Sequence, residues 1–301
     1  MALLTRVRSR AELVAHQRVR ALLEGRHVSA LHGRSLDFAD LRAYVPGDDV
    51  ADVDWKATAR HGDLLVKRHV AERRATVVLV VDTGRELAAA SHWDPEGPGQ
   101  ADLKRDVAVT AAGLLGWMAL RAGDRVGLVH CGPHGPLATR PTTREVDLER
   151  MLVSVQKACQ PDSPGQRTLD LLDHATGALR RRTLMVLVLG DVEVDSALER
   201  RLARLAAQHE LVVVTVADLD PLPPLRRGRR VTDVRGRRRL PGFVAEDPEL
   251  AAELRGLDVA RAARREEVLR RLGAAHVHLA EHDAAITDLL NLLERRRRRA
   301  R

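Results

Sequence analysis

Thr76-Val77-Val78-Leu79-Val80-Val81-Asp82-Thr83-Gly84-Arg85-Glu86 is an unbroken apolar run led by a threonine and followed at once by an acid, a hydroxyl, a glycine and a second acid. A run that is apolar at every position, rather than at alternate ones, suits a strand covered on both faces. The change to polar residues at Asp82 then marks the carboxyl end of that strand, the place where open α/β sheets gather ligands.

Outward from this run the pattern is regular. Asp102 to Arg121 has helical spacing and stops at Gly123-Asp124; Val126 to Cys131 reads as a strand; Gly132-Pro133 turns the chain into a short partner near Leu137-Ala138-Thr139. Helices are predicted over Arg144 to Ala158, Leu169 to Leu179 and Ala197 to Gln208, and strands over Leu184 to Leu189 and Leu211 to Val216. A helix from Pro248 to Leu272, a strand at Val277-His278-Leu279 and a helix from Ala284 to Leu293 close the series. Alternating strands and helices imply right-handed crossovers. The fold class is therefore α/β, a mostly parallel central sheet with helices on both faces, plus an N-terminal α/β appendage that holds a helix over Ala11 to Leu23 and a strand near Leu64-Leu65-Val66. The domain reading is an N-terminal segment over 1–74, the sheet domain over 75–293 and a basic tail over 294–301. Residues 221–241, rich in Pro and then Arg, read as an exposed insertion with a hairpin turning at Arg235-Gly236, and Arg295 to Arg299 as a disordered charge run.

Composition narrows the function classes. Hydrophobic residues make up 45% of the 301 and aromatics only 2%, so the core must be aliphatic. The net charge of +8 invites a nucleic-acid reading, but much of the Arg is interleaved with acid, as in Arg264-Arg265-Glu266-Glu267, which is the pattern of a solvated helix face. Cys131 and Cys159 show neither metal spacing nor a disulfide framework. Met1 to Arg10 has no apolar segment behind it, unlike a signal peptide, and no apolar run approaches the ~18 residues of a membrane span. The expected setting is the cytoplasm. Nucleotide-binding glycine loops, a serine nucleophile elbow and a His-Glu-x-x-His zinc motif are all absent from the sequence.

Several of the predicted loops carry hard oxygen donors, the kind Mg²⁺ prefers: Asp82, Glu86, Thr168 and Asp191. Here the sequence resembles the von Willebrand factor A domain, whose metal-ion-dependent adhesion site opens with Asp-x-Ser-x-Ser and is completed by a Thr and an Asp from later loops. On that resemblance Asp82 matches the first Asp, Gly84 and Glu86 stand where the two serines would be, and Thr168 and Asp191 match the later pair. The resemblance implies a degenerate site. No cofactor is assured by these residues, and Mg²⁺ is the one candidate. The alternative is that Asp82 and Asp191 cap helices or loop amides and Thr168 is an N-cap.

A second set of motifs lies upstream: Asp37-Phe38, then Arg42, Tyr44, Pro46-Gly47-Asp48-Asp49, then Asp54-Trp55 and Arg60. Pro, Gly and Asp in that order favour a turn. The segment resembles the bacterial domain of unknown function 58 family, whose members join it to a von Willebrand factor A-like domain. These residues either fasten the segment to the sheet domain through a buried ion-pair and Trp cluster or form a binding face. The resemblance implies a non-enzymatic adaptor or co-chaperone that partners a MoxR-type AAA+ ATPase. Two alternatives stay open: a metal-dependent hydrolase or nuclease using the strand-end carboxylates, and electrostatic nucleic-acid binding through Arg226 to Arg239 and the tail.

Overall fold

The computed structural model describes residues 2–24, 41–45, 53–67, 75–96, 101–165 and 167–299. Its centre is a six-stranded sheet in the order β10-β9-β8-β3-β6-β7. β3 (Thr76–Val81), β6 (Arg125–Gly132), β8 (Leu184–Gly190), β9 (Glu210–Val216) and β10 (Ala275–Leu279) run parallel, and the edge strand β7 (Gly135–Ala138) returns antiparallel through the turn expected at Gly132-Pro133.

The apolar runs divide by pleat. Val77, Leu79 and Val81 of β3 enter one core with Val186 and Val188 of β8 and Val212, Val214 and Val216 of β9. Val78 and Val80 enter the other with Met185, Leu187 and Leu189. The first core is covered by α1 (Leu3–Glu24), α3 (Lys104–Arg121), α4 (Glu145–Ala158) and α10 (Ala285–Arg299), the second by α5 (Thr168–Ala178), α6 (Ser196–Gln208) and the end of α9 (Pro248–Arg271). Burial on both faces is why these strands show no alternation.

α3 lies between the sheet and the outer helices, and its glycines set the spacing. A Cβ on Gly116 would stand 2.9 Å from Leu148 Cδ1 and 3.3 Å from Leu79 Cδ1; one on Gly113 would stand 3.2 Å from Leu152 Cδ1 and 3.3 Å from Val7 Cγ2. α1 fits over this surface through Leu3, Leu4, Val7 and Ala11, a helical stripe. Its first free amides, Leu3 and Leu4, donate to the Glu149 carboxylate of α4 at 2.8 and 2.7 Å. α1 therefore begins well before Ala11, because its cap comes from a residue remote in sequence.

Two further expectations are corrected. Arg295 to Arg299 is helical, the end of α10. Arg296 is only 9% exposed and pairs with Glu210 at the start of β9, an ion pair that extends the helix. The insertion is partly anchored: Leu222 and Leu225 of α7 (Leu222–Arg226) form a small core with Ala245 of α8 (Phe243–Glu246) and Ala251 of α9. Its hairpin is present, with Thr232 bridged to Arg239.

In the N-terminal segment β1 (Leu41–Ala43) pairs antiparallel with β2 (Leu65–Lys67), and α2 (Trp55–His61) lies between them in sequence.

Gly116→Ala is expected to lower stability by about 1–3 kcal/mol, because Leu148 and Leu79 must both give way in a filled core. Urea unfolding of the two proteins measures the difference.

Candidate functional site

β3, one of the two central strands of the sheet and covered on both faces, delivers Asp82 to the carboxyl rim at 0% exposure. The Asp82 amide donates to the Val188 carbonyl of β8 at 2.8 Å, continuing the ladder one step past the strand. Thr168, the first residue of α5, donates through Oγ1 to Asp82 Oδ2 at 2.5 Å. Thr83 fixes the other side: its hydroxyl donates to the Cys131 carbonyl at 2.6 Å and accepts from the Cys131 amide at 3.1 Å, tying the end of β3 to the end of β6.

Gly84 follows with φ 141°, a backbone that side chains rarely adopt. A serine hydroxyl at this position would come with a strained main chain, which accounts for glycine there. Arg85 turns aside, its amide donating to the Pro164 carbonyl and its Nε to the Ser163 carbonyl, each at 3.1 Å. Its charge is thus spent on the neighbouring loop. Glu86 is 9% exposed and lies 3.5 Å from Arg235 Nε of the insertion hairpin.

Asp191, beyond the end of β8, pairs with Arg265 of α9, a guanidinium only 4% exposed. Arg265 was expected on a solvated face. It instead continues inward the stripe that Val268 and Leu269 begin, and the three-and-four spacing to those residues is the signal that could have found it. Arg265 Nη2 also reaches His278 Nδ1 at 3.3 Å, and Thr215 Oγ1 lies 2.8 Å from the same nitrogen. Desolvation, and after it the Arg265 charge, lower the pKa of His278.

The thiols nearby are inert. Burial first, and then the Asp82 charge, push Cys131 up to about 11. Burial, with Asp82 adding to it and a Gly84 backbone contact opposing it, pushes Cys159 up to about 12. Both are free and buried.

The rim thus brings Asp82 and Thr168 into contact, with Glu86 and Asp191 on its margins. The last two are drawn toward arginines, Glu86 toward Arg235 and Asp191 toward Arg265. Among the described residues no three His, Cys, Asp or Glu side chains gather as a group that could hold a metal ion.

Beside the rim opens a cleft of about 810 Å³, lined by Glu86 and Asp191, by Lys104 at the start of α3, and by the arginines of the insertion. Lys104 is 2% exposed and pairs with Asp218, just past β9. A lysine opening a helix opposes the helix dipole, and that conflict was the available sign that an acid stood opposite.

Upstream, Asp54 accepts from the amides of Lys56 at 3.1 Å and Ala57 at 3.0 Å and so caps α2. Trp55 is 63% exposed, so the buried Trp cluster is not formed. Arg42 lies in β1, Tyr44 follows it with its amide donating to the Leu64 carbonyl at 2.8 Å, and Arg60 is exposed on α2. Asp37, Phe38, Pro46, Gly47, Asp48 and Asp49 lie outside the described residues.

The family model described as a protein of unknown function, DUF58, matches residues 40–224. Uncharacterized proteins of Mycobacterium bovis and Mycobacterium tuberculosis are each 29% identical over 299 residues, covering 96% of this chain and 88% of theirs. A von Willebrand factor type A structure from Catenulispora acidiphila aligns at TM-score 0.40 and 9% identity, over 74% of this chain and 42% of that one. The pilus adhesin SpaC from Lactobacillus rhamnosus GG aligns at TM-score 0.41 and 11% identity, over 75% and 31%. The chain spans less than half the length of either structure.

Thr168→Val removes the hydroxyl donor to a buried carboxylate and is expected to cost about 1–3 kcal/mol. Denaturant midpoints of the two proteins measure it; an unchanged midpoint would mean that Asp82 does not need this bond.

Proposed function

This chain belongs to the DUF58 family, and on that premise we propose that it is a non-enzymatic protein-interaction module, an adaptor or co-chaperone that partners a MoxR-type AAA+ ATPase in the cytoplasm. One observation carries the interaction reading. Val45, Trp55 and Leu64 are 55%, 63% and 45% exposed, and all three belong to the small unit built from β1, α2 and β2. The Tyr44 amide bonds the Leu64 carbonyl and the Asp54 amide bonds the Leu65 carbonyl, both at 2.8 Å, so these positions are neighbours along one paired segment. Large apolar side chains held outward together on an ordered frame suit a docking face, with Trp55 as the anchor.

The absence of a nucleophile motif from the sequence, together with the engagement of the rim carboxylates by Thr168, Arg235 and Arg265, supports binding over turnover. No helix among the described residues is long and apolar enough to cross a membrane. We read the rim as a degenerate metal-ion-dependent adhesion site in which the two arginines occupy the carboxylates that a cation would need.

Two measurements test these readings. Trp55→Ala is expected to weaken capture of the host's MoxR-type ATPase on immobilised protein by roughly tenfold or more, with the melting temperature unchanged, as for an interface anchor. Undiminished capture, or none by the unaltered chain, contradicts the reading. Calorimetric titration with Mg²⁺ is expected to give no binding heat, whereas saturable heat abolished by Asp82→Asn would restore the metal site.

A further inference from the structure

The insertion after β9 has no part in the sheet, yet it builds one wall of the cleft at the sheet's carboxyl rim. Seven cationic side chains line this cleft against five carboxylates. The carboxylates are largely engaged: Asp218 by Lys104, Glu86 by Arg235 and Asp191 by Arg265 from behind. Asp233 accepts from the amides of Gly236 at 2.7 Å and Arg235 at 3.1 Å, contacts that lower its pKa. Those bonds also shape the hairpin tip. Asp233 donates its own amide to the Arg238 carbonyl at 2.8 Å, and Leu240 donates to Val231 at 2.9 Å. The tip is therefore a built element, and it lines the cleft with Arg238, Arg239 and Arg235, the last also meeting Glu86, together with Arg230 from the chain before it and Arg261 of α9, which pairs with Asp258. The cleft is also lined by apolar residues, Ala90, Leu219, Pro221, Pro224, Val231 and Leu240.

We propose that this cleft takes an acidic peptide segment of a protein partner, with Asp or Glu carboxylates on the arginines and an apolar side chain against the apolar lining. The inference rests on the interaction reading above and adds the chemistry of the partner. Guanidinium groups pair with carboxylates through two parallel hydrogen bonds and are the usual readers of acidic motifs. A nucleic acid shares the negative charge, but binding of single strands draws on exposed aromatic faces. The aromatic ring that lines the cleft is Trp93, and Arg229 lies over it at 5.9 Å from the ring centre. The apolar part of the lining also has no counterpart in a sugar–phosphate backbone.

The test uses the full chain and short fluorescein-labelled peptides of alternating Glu and Leu, the same peptide with Gln for Glu, and an oligothymidylate of equal length. Fluorescence polarisation at low salt is expected to show the Glu peptide bound roughly tenfold or more tighter than the Gln peptide, with the difference shrinking as salt rises. Arg238→Glu with Arg239→Glu is expected to remove that preference at an unchanged melting temperature, and Arg230→Glu with Arg261→Glu, which leaves the hairpin tip intact, is expected to weaken it likewise. Equal binding of the Glu and Gln peptides, a preference that survives both pairs of substitutions, or tighter binding of the oligothymidylate each overturns the proposal. Capture of the ATPase measured alongside separates the two readings: capture without peptide discrimination overturns the cleft alone, and discrimination without capture upholds the cleft while removing the ATPase as partner.

Discussion

Asp82 is where two demands meet. A strand sealed on both faces must end, and the first residue past the seal is still buried, so its polar atoms need partners within the protein. The Asp82 amide finds β8 and its carboxylate finds the hydroxyl of Thr168. With that contact made, the start of α5 is pinned over the rim, Thr83 can lock β6 alongside, and Gly84 must reverse the chain in a conformation that a side chain resists. The loops around the rim take their places from this one buried acid.

The charges around it follow from the same economy of space. Glu86 and Asp191 stand on the margins, and each is met by an arginine from an element that arrives late in the chain, Arg235 from the insertion and Arg265 from α9. Arg265 is nearly inaccessible, and a buried guanidinium left alone would be costly, so Asp191 and Arg265 hold each other in place. The outcome is a rim whose acids are answered by the protein's own cations, while further arginines of the insertion hairpin line the cleft beside it.

Much of this was legible from local pattern. The apolar runs of β3, β8 and β9 and the amphipathic spacing of α4 and α6 have their determinants within their own segments, as does the cap of α9, Asp247 followed by Pro248. The strand-end rule likewise singled out Asp82 and Asp191, while Thr168, read in the loop before a predicted helix, is the residue that touches Asp82. What escaped was decided by distant partners. The opening turns of α1 depend on Glu149 of α4, the last turn of α10 on Glu210 of β9, and the burial of Arg265 on an acid that lies far from it in sequence. Charge runs such as Arg264-Arg265-Glu266-Glu267 look uniform along the sequence, and only the helix register separates the one residue that turns inward.

The return strand β7 bears on how the molecule behaves in company. A sheet that ended at β6 would offer the outer edge of a long apolar strand, ready to accept a stranger's backbone. β7 closes that side with four residues, among them Pro136, which has no amide hydrogen to offer an incoming chain. Assembly by sheet extension is discouraged on that flank, so an encounter there is left to side chains that can be chosen one at a time.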